Sequence, residues 1–162
     1  MINCILASTS TIHNSTYLEY LFKELKELYS DTDEVLFIPY ARPSGISHEE
    51  YTSIAKKGFQ KINKKLLGIH TFDNPIEAIK NAKGIFTGGG NTFVLVSKLY
   101  ELHLINPLKK TIQEGIPYLG TSAGSNIAGV SMRTTNDMPI LYPPSFDTLN
   151  IVPFNINAHY LD

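Results

Sequence analysis

Short, almost wholly apolar runs alternate along this chain with longer segments of helical spacing, and that alternation limits the fold more than any other feature. "EVLFIPY" places Val35, Leu36, Phe37 and Ile38 in a row before Pro39 stops the run. A run so brief and continuous reads as a strand covered on both faces. Residues 3–7 read as a shorter strand. After it, Leu18, Leu21, Phe22, Leu25 and Leu28 recur at threes and fours, which predicts an amphipathic helix over 16–29. Ser47 with Glu50 three residues on makes a capping box, in which two side chains satisfy the free amides that open a helix over 48–63. Another strand is expected near 66–69.

The second half repeats the pattern. "KGIFTGGGN" is a strand that breaks into three glycines, and "TFVLVSKLYEL" is helical by spacing. "NPLKKTIQEG" is a helix with Pro107 in its first turn and Gly115 at its stop, and "IPYLG" is the next strand. Strands alternating with helices favour a mostly parallel sheet with helices on both faces. With no linker, repeat or low-complexity tract, residues 1–162 read as one α/β domain. Ligands of such sheets gather at the carboxyl ends of strands. Two glycine-rich turns fall there, at 88–90 and 120–124, and could share one cleft.

Composition narrows the partners. A formal net charge of −1 with 18% charged residues gives no electrostatic reason to bind nucleic acid or an acidic membrane surface. Cys4 is the single cysteine, so no internal disulfide is possible, and its apolar setting predicts a buried, inert thiol suited to a reducing cytoplasm. No basic leader precedes the opening apolar residues, which stop at Ser8, so export and membrane anchoring are not expected. The oligomeric state stays open.

Gly120-Thr121-Ser122-Ala123-Gly124 matches G-x-S-x-G, the nucleophile elbow in which a serine sits on a tight strand-to-helix turn. A serine hydroxyl needs a neighbouring base, and the oxyanion it generates needs preorganised donors. The amide of Ala123, just after the serine, is one such donor, and the triple-glycine turn could supply another, with Gly89 its central candidate. The competing reading of those glycines, a phosphate cradle, lacks the Gly-Lys-Ser/Thr that would follow it. Of the five histidines, His13, His48, His70 and His103 lie in expected loops or on polar helix surfaces, with no metal-ligand spacing. His159 follows "LNIVPFNIN", an alternating run expected to be a strand, and so stands where a sheet-borne site would want a base.

Taken together, "GGGNTF", "GTSAGSN", "TTNDMPI" and "PPSFDTLNIVPFNINAHYLD" resemble peptidase E, the α-aspartyl dipeptidase family of serine peptidases, and the similarity runs along essentially the whole chain. The resemblance implies a flavodoxin-like, class I glutamine amidotransferase-like three-layer sandwich, a cytoplasmic enzyme without metal or cofactor, and removal of an N-terminal aspartate from dipeptides. It makes Ser122 the nucleophile and His159 the general base, and points to Asp137 as the relay acid. Asp137 reads equally as a turn-forming residue before Met138-Pro139, the family's acid being assigned elsewhere to a later glutamate. Gly88, Asn91 and Thr135 are candidate substrate contacts. The chain has two arginines, Arg42 and Arg133, neither an obvious clamp for an aspartyl carboxylate. Family members typically continue past "HYLD" through a segment with a further acid and a substrate-holding arginine, so a fragment or a shortened protein is expected. Two alternatives accompany the dipeptidase: a catalytically impaired, shortened binding protein, and a cyanophycinase-like β-aspartyl peptidase.

Overall fold

In the computed structural model, residues 1–160 are described. Five strands, β1 (Cys4–Ala7), β2 (Glu34–Ile38), β3 (Lys65–Gly68), β4 (Ile85–Thr87) and β5 (Tyr118–Thr121), form one sheet in the order β3-β2-β4-β5-β1. Every pairing is parallel, with Leu36 beside Ile85, Phe86 beside Leu119 and Leu6 beside Gly120. The helices are α1 (Phe22–Leu28), α2 (His48–Gln60), α3 (Pro75–Lys80), α4 (Thr92–Glu101), α5 (Ile105–Gln113) and α6 (Ala123–Asn126).

Side chains of successive strand residues point to opposite faces, and the core divides accordingly. Val35, Phe37, Phe86 and Leu119 pack with Leu25 and Tyr29 at α1 and with Tyr51, Ala55 and Phe59 of α2. Leu36, Ile38, Ile85 and Tyr118 face the other way, onto Leu95, Val96 and Leu99 of α4 and Leu108 and Ile112 of α5. Two helical layers therefore enclose the sheet, a flavodoxin-like α/β/α sandwich. Both faces of β2 are covered, which is why its sequence reads as an unbroken apolar run. Aromatic rings dominate the first face: Phe37 meets Tyr51 edge-on at 5.1 Å between centroids, and Phe86 at a tilt of 32° and 4.9 Å.

Several boundaries differ from the sequence expectation for local reasons. The helix expected over 16–29 begins later, with a 3-10 turn at Glu19–Leu21 ahead of α1. Leu18 takes a left-handed conformation (φ 60°) and Glu19 folds back to accept the Thr16 amide at 2.7 Å, so the chain turns before it coils. Helix α2 opens on the expected capping box, Glu50 N donating to Ser47 Oγ at 3.1 Å and Ser47 N to Glu50 Oε2 at 2.6 Å. "DNPIEAIK" gives α3, capped by Asn74, whose Oδ1 accepts from Glu77 N at 3.1 Å, with Pro75 in the first turn. The Cys4 thiol is half-buried on β1, an edge strand, rather than fully enclosed, and burial pushes its pKa up.

"LNIVPFNIN" is not a strand. Asn150 adopts φ 47° and Pro153 has no amide to donate, so the segment bends away from extended geometry. Its amides close the end of α6 instead: Leu149 N donates to Ile127 O at 2.8 Å, Asn150 N to Gly129 O at 2.8 Å and Ile151 N to Ala128 O at 3.0 Å. The alternation reflects Leu149 and Ile151 entering the core one after the other from a loop. No helix among the described residues is long and apolar enough to cross a membrane.

Candidate active site

Strands β4 and β5 are neighbours, with Thr87 beside Gly120, so the two glycine turns that follow them share the carboxyl edge of the sheet. Ser122 is the first residue beyond β5, at φ 51° and ψ −111°, a conformation that side chains other than glycine rarely hold. The strain sits on the serine itself, and the flanking glycines answer a different need. A β-carbon at Gly120 would lie 2.4 Å from Gly124 O, and one at Gly124 would lie 2.1 Å from Thr87 O. Only bare backbone lets α6 start so close to β4 and β5. Two buried bonds hold that start: Tyr118 Oη donates to Gly124 O at 2.7 Å, and Ser125 Oγ lies 2.7 Å from Ala7 O and 2.8 Å from Gly120 O. Burial pushes the Tyr118 phenol far above its ordinary range, so it stays protonated and able to donate.

Ser122 Oγ lies 2.9 Å from His159 Nε2. A neutral imidazole at that distance can accept the hydroxyl proton as the oxygen attacks. The Ser122 amide is already committed to Ala7 O at 2.9 Å, which fixes the elbow to β1. Ala123 opens α6, where an amide has no acceptor within its own helix. The Gly89 amide has no hydrogen-bond partner among the described residues, and a β-carbon there would stand 3.0 Å from Ser122 Cβ. The second glycine turn thus lies directly against the serine.

The remaining candidates are placed differently. Asp137 Oδ2 accepts from Thr92 N at 2.7 Å and Thr92 Oγ1 at 2.5 Å, at the start of α4, and no hydrogen bond joins Asp137 to His159 among the described residues. Asn91 caps α4, its Oδ1 accepting from Val94 N at 3.1 Å, while its Nδ2 donates to Met138 O at 2.8 Å. Gly88 N donates to Ile38 O at 3.1 Å, and Thr135 Oγ1 lies 3.2 Å from Thr92 Oγ1. The polar capacity of these three residues is largely taken up inside the protein. Arg42 stacks its guanidinium 4.4 Å from the Tyr51 ring centroid, and Arg133 sits 5.4 Å from that of Phe146. His70 bonds Glu49 at 3.0 Å. Among the described residues, no group of three or more His, Cys, Asp or Glu side chains could hold a metal ion.

A sequence model of peptidase family S51 matches residues 4–162. The chain belongs to peptidase family S51. This S51 chain is 46% identical to peptidase E of Shewanella denitrificans over 159 residues, which covers 98% of the chain and 67% of that protein. It is 45% identical over 163 residues to the probable alpha-aspartyl dipeptidase of Drosophila melanogaster, covering 99% of the chain and again 67% of the relative. It therefore spans about two thirds of the length of these curated relatives. Among solved structures, a candidate peptidase E protein from Listeria monocytogenes superposes with a TM-score of 0.76 at 23% identity, over 96% of this chain and 77% of that one. A peptidase from an acI-B1 Actinobacterium gives a TM-score of 0.66 at 23% identity, covering 93% and 65% of the two chains. These two share the fold.

Thr92 and Asn126 are the polar residues of the site that sequence reading passed over. Asn126 is buried beneath the serine turn, its Oδ1 accepting from Ala158 N at 3.0 Å. Both residues stand inside recognisable motifs, "GGGNTF" and "GTSAGSN", but neither spacing nor hydropathy distinguishes a buried amide that bridges two loops.

Proposed function

We propose that this S51 peptidase is a serine-type dipeptidase that releases an N-terminal aspartate from Asp-X dipeptides. The observation that carries the reading is the 2.9 Å approach of Ser122 Oγ to His159 Nε2 on a strained turn against Gly89. The 45–46% identity to a peptidase E and an alpha-aspartyl dipeptidase supplies the substrate class. In this reading His159 takes the hydroxyl proton while Ser122 Oγ attacks the peptide carbonyl carbon. The amides of Gly89 and Ala123 stabilise the oxyanion, and His159 then protonates the departing amine. Water, deprotonated by the same imidazole, cleaves the aspartyl ester and frees aspartate and Ser122. Each half-reaction moves one proton through one base, so the cycle needs no redox partner. A small peptide substrate and a cytoplasmic setting complete the proposal, the latter suited to a lone, unpaired cysteine.

The test is a substrate panel. The chain is expected to release leucine from Asp-Leu and to leave Leu-Leu essentially untouched. An aspartyl carboxylate can exchange its hydration for charge-assisted hydrogen bonds and a leucine side chain cannot, so the preference is expected to be for Asp-Leu. Equal hydrolysis of Asp-Leu and Leu-Leu would refute the substrate assignment. Cleavage of a β-aspartyl-arginine dipeptide in preference to Asp-Leu would replace it with the cyanophycinase-like alternative.

A further inference from the structure

His159 reaches Ser122 from a segment with almost no regular structure of its own, and its backbone sits at φ 60°. Few non-glycine residues take that region, histidine more readily than most, so neighbouring contacts select it here. A buried tether is the amide immediately before it: Ala158 N donates to Asn126 Oδ1 at 3.0 Å, and both residues are no more than 3% exposed. Asn126 is also the last residue of α6, the helix that Ser122 immediately precedes. One side chain therefore ties the loop of the base to the helix of the nucleophile.

The other end of the Asn126 amide is equally committed. Asn126 Nδ2 donates to Thr92 Oγ1 at 3.0 Å and to Thr135 Oγ1 at 3.3 Å, and Thr92 Oγ1 donates to Asp137 Oδ2 at 2.5 Å. A carboxylate oxygen only accepts, so the single Thr92 hydroxyl proton points to Asp137 and its oxygen must accept from Asn126. That turns the Asn126 amide group toward Thr92 and its carbonyl toward Ala158 N–H. The polarity of the whole chain, Asp137 to Thr92 to Asn126 to Ala158, is set by the carboxylate at its far end.

We propose that Asn126 is a positioning residue of the catalytic pair, and that Asp137 serves the site through Thr92 and Asn126, holding the His159 backbone rather than the imidazole. This inference rests on the reading of Ser122 and His159 as nucleophile and base. It gives a carboxylate that bonds the start of α4 a route to the catalytic pair. Neither Asn126 nor Asp137 touches the reacting atoms.

Backbone amide exchange followed by NMR tests this on the whole chain without requiring turnover. The Ala158 amide should exchange slowly in the parent, and at least about tenfold faster in Asn126→Ala and in Asp137→Ala, while the central-strand amides of Phe86 and Leu119 stay protected. The double variant should be no faster at Ala158 than Asn126→Ala alone, because the two changes cut one chain of bonds. Thr92→Val, which preserves shape and removes only the hydroxyl, gives the same reading if Asn126→Ala does not fold. In parallel, Asn126→Ala should lower kcat on Asp-Leu about a hundredfold, as expected for a displacement near 1 Å. KM and the pH of the acid limb should stay in place. Unchanged Ala158 exchange in Asp137→Ala, or a shift of the acid limb in that variant, would overturn the proposal. A parent that folds with a protected Ala158 amide but does not cleave Asp-Leu would sink the functional reading and leave the tether standing.

Discussion

Replacing Gly124 by alanine probes the seat of the nucleophile with a single methyl group. A β-carbon at 124 would lie 2.1 Å from Thr87 O and 2.9 Å from Thr87 C, both backbone atoms of a central strand that cannot swing aside. Ordinary contact begins near 3.4 Å, so the start of α6 must retreat from β4 by about 1.3 Å. The Tyr118 Oη bond to Gly124 O, at 2.7 Å, is stretched by the same movement. Overpacking of this kind costs about 2 kcal/mol, a roughly thirtyfold change in the folding equilibrium. Because α6 is only four residues long, the shift passes directly to Ser122 and Ala123. Misplacing the hydroxyl and an oxyanion donor by about 1 Å should lower kcat by about a hundredfold. Urea unfolding followed by circular dichroism measures the first effect and steady-state hydrolysis of Asp-Leu the second. A Gly124→Ala protein with the parent's unfolding midpoint and undiminished kcat would show that α6 does not rest on β4 as described.

Tyr118→Phe removes the buried donor to Gly124 O while keeping the ring, and should cost about 1 kcal/mol in urea unfolding, with a smaller loss of kcat than Gly124→Ala. Burial, followed by the neighbouring His70 and Lys98, holds the His48 pKa below the ordinary imidazole value. A base whose folded pKa is depressed contributes stability that is full above about pH 6.5 and lost as pH falls through that value toward the folded one. The urea midpoint of the parent should therefore drop on acidification from about pH 7.5 to about pH 5.5. That of His48→Gln should drop less, and identical pH profiles would contradict the assignment.

The alternation of buried strands with helices was legible because both faces of the sheet are covered, which leaves β2 a continuous apolar signature. The capping box at Ser47 and Glu50 was legible for the same kind of reason, since a local hydrogen-bond demand fixes residue types at a fixed spacing. Helix α3 carried a usable signal in Asn74-Pro75, a cap followed by a first-turn proline, which its short length concealed. The segment 149–157 misled because two core-facing side chains, Leu149 and Ile151, mimic strand alternation while Asn150 and Pro153 bend the chain. For the site, Ser122 and His159 stood out as a hydroxyl on a glycine-flanked turn and an imidazole, and the structure sets them 2.9 Å apart. Thr92 and Asn126 did not stand out, because a side chain that bridges two loops depends on tertiary position. Asp137 illustrates the boundary between these cases: the resemblance to peptidase E suggested a relay acid, and its carboxylate accepts from Thr92 N and Thr92 Oγ1.

If Ser122 is the nucleophile, the rate of leucine release from Asp-Leu by the parent chain and by Ser122→Ala under identical conditions must show it. The hydroxyl supplies reaction chemistry and little packing, so the variant should unfold at the parent's urea midpoint and lose several orders of magnitude in kcat, on the order of 10⁶-fold. A Ser122→Ala protein that kept most of the parent's kcat would contradict the account, whatever the distance between residues 122 and 159.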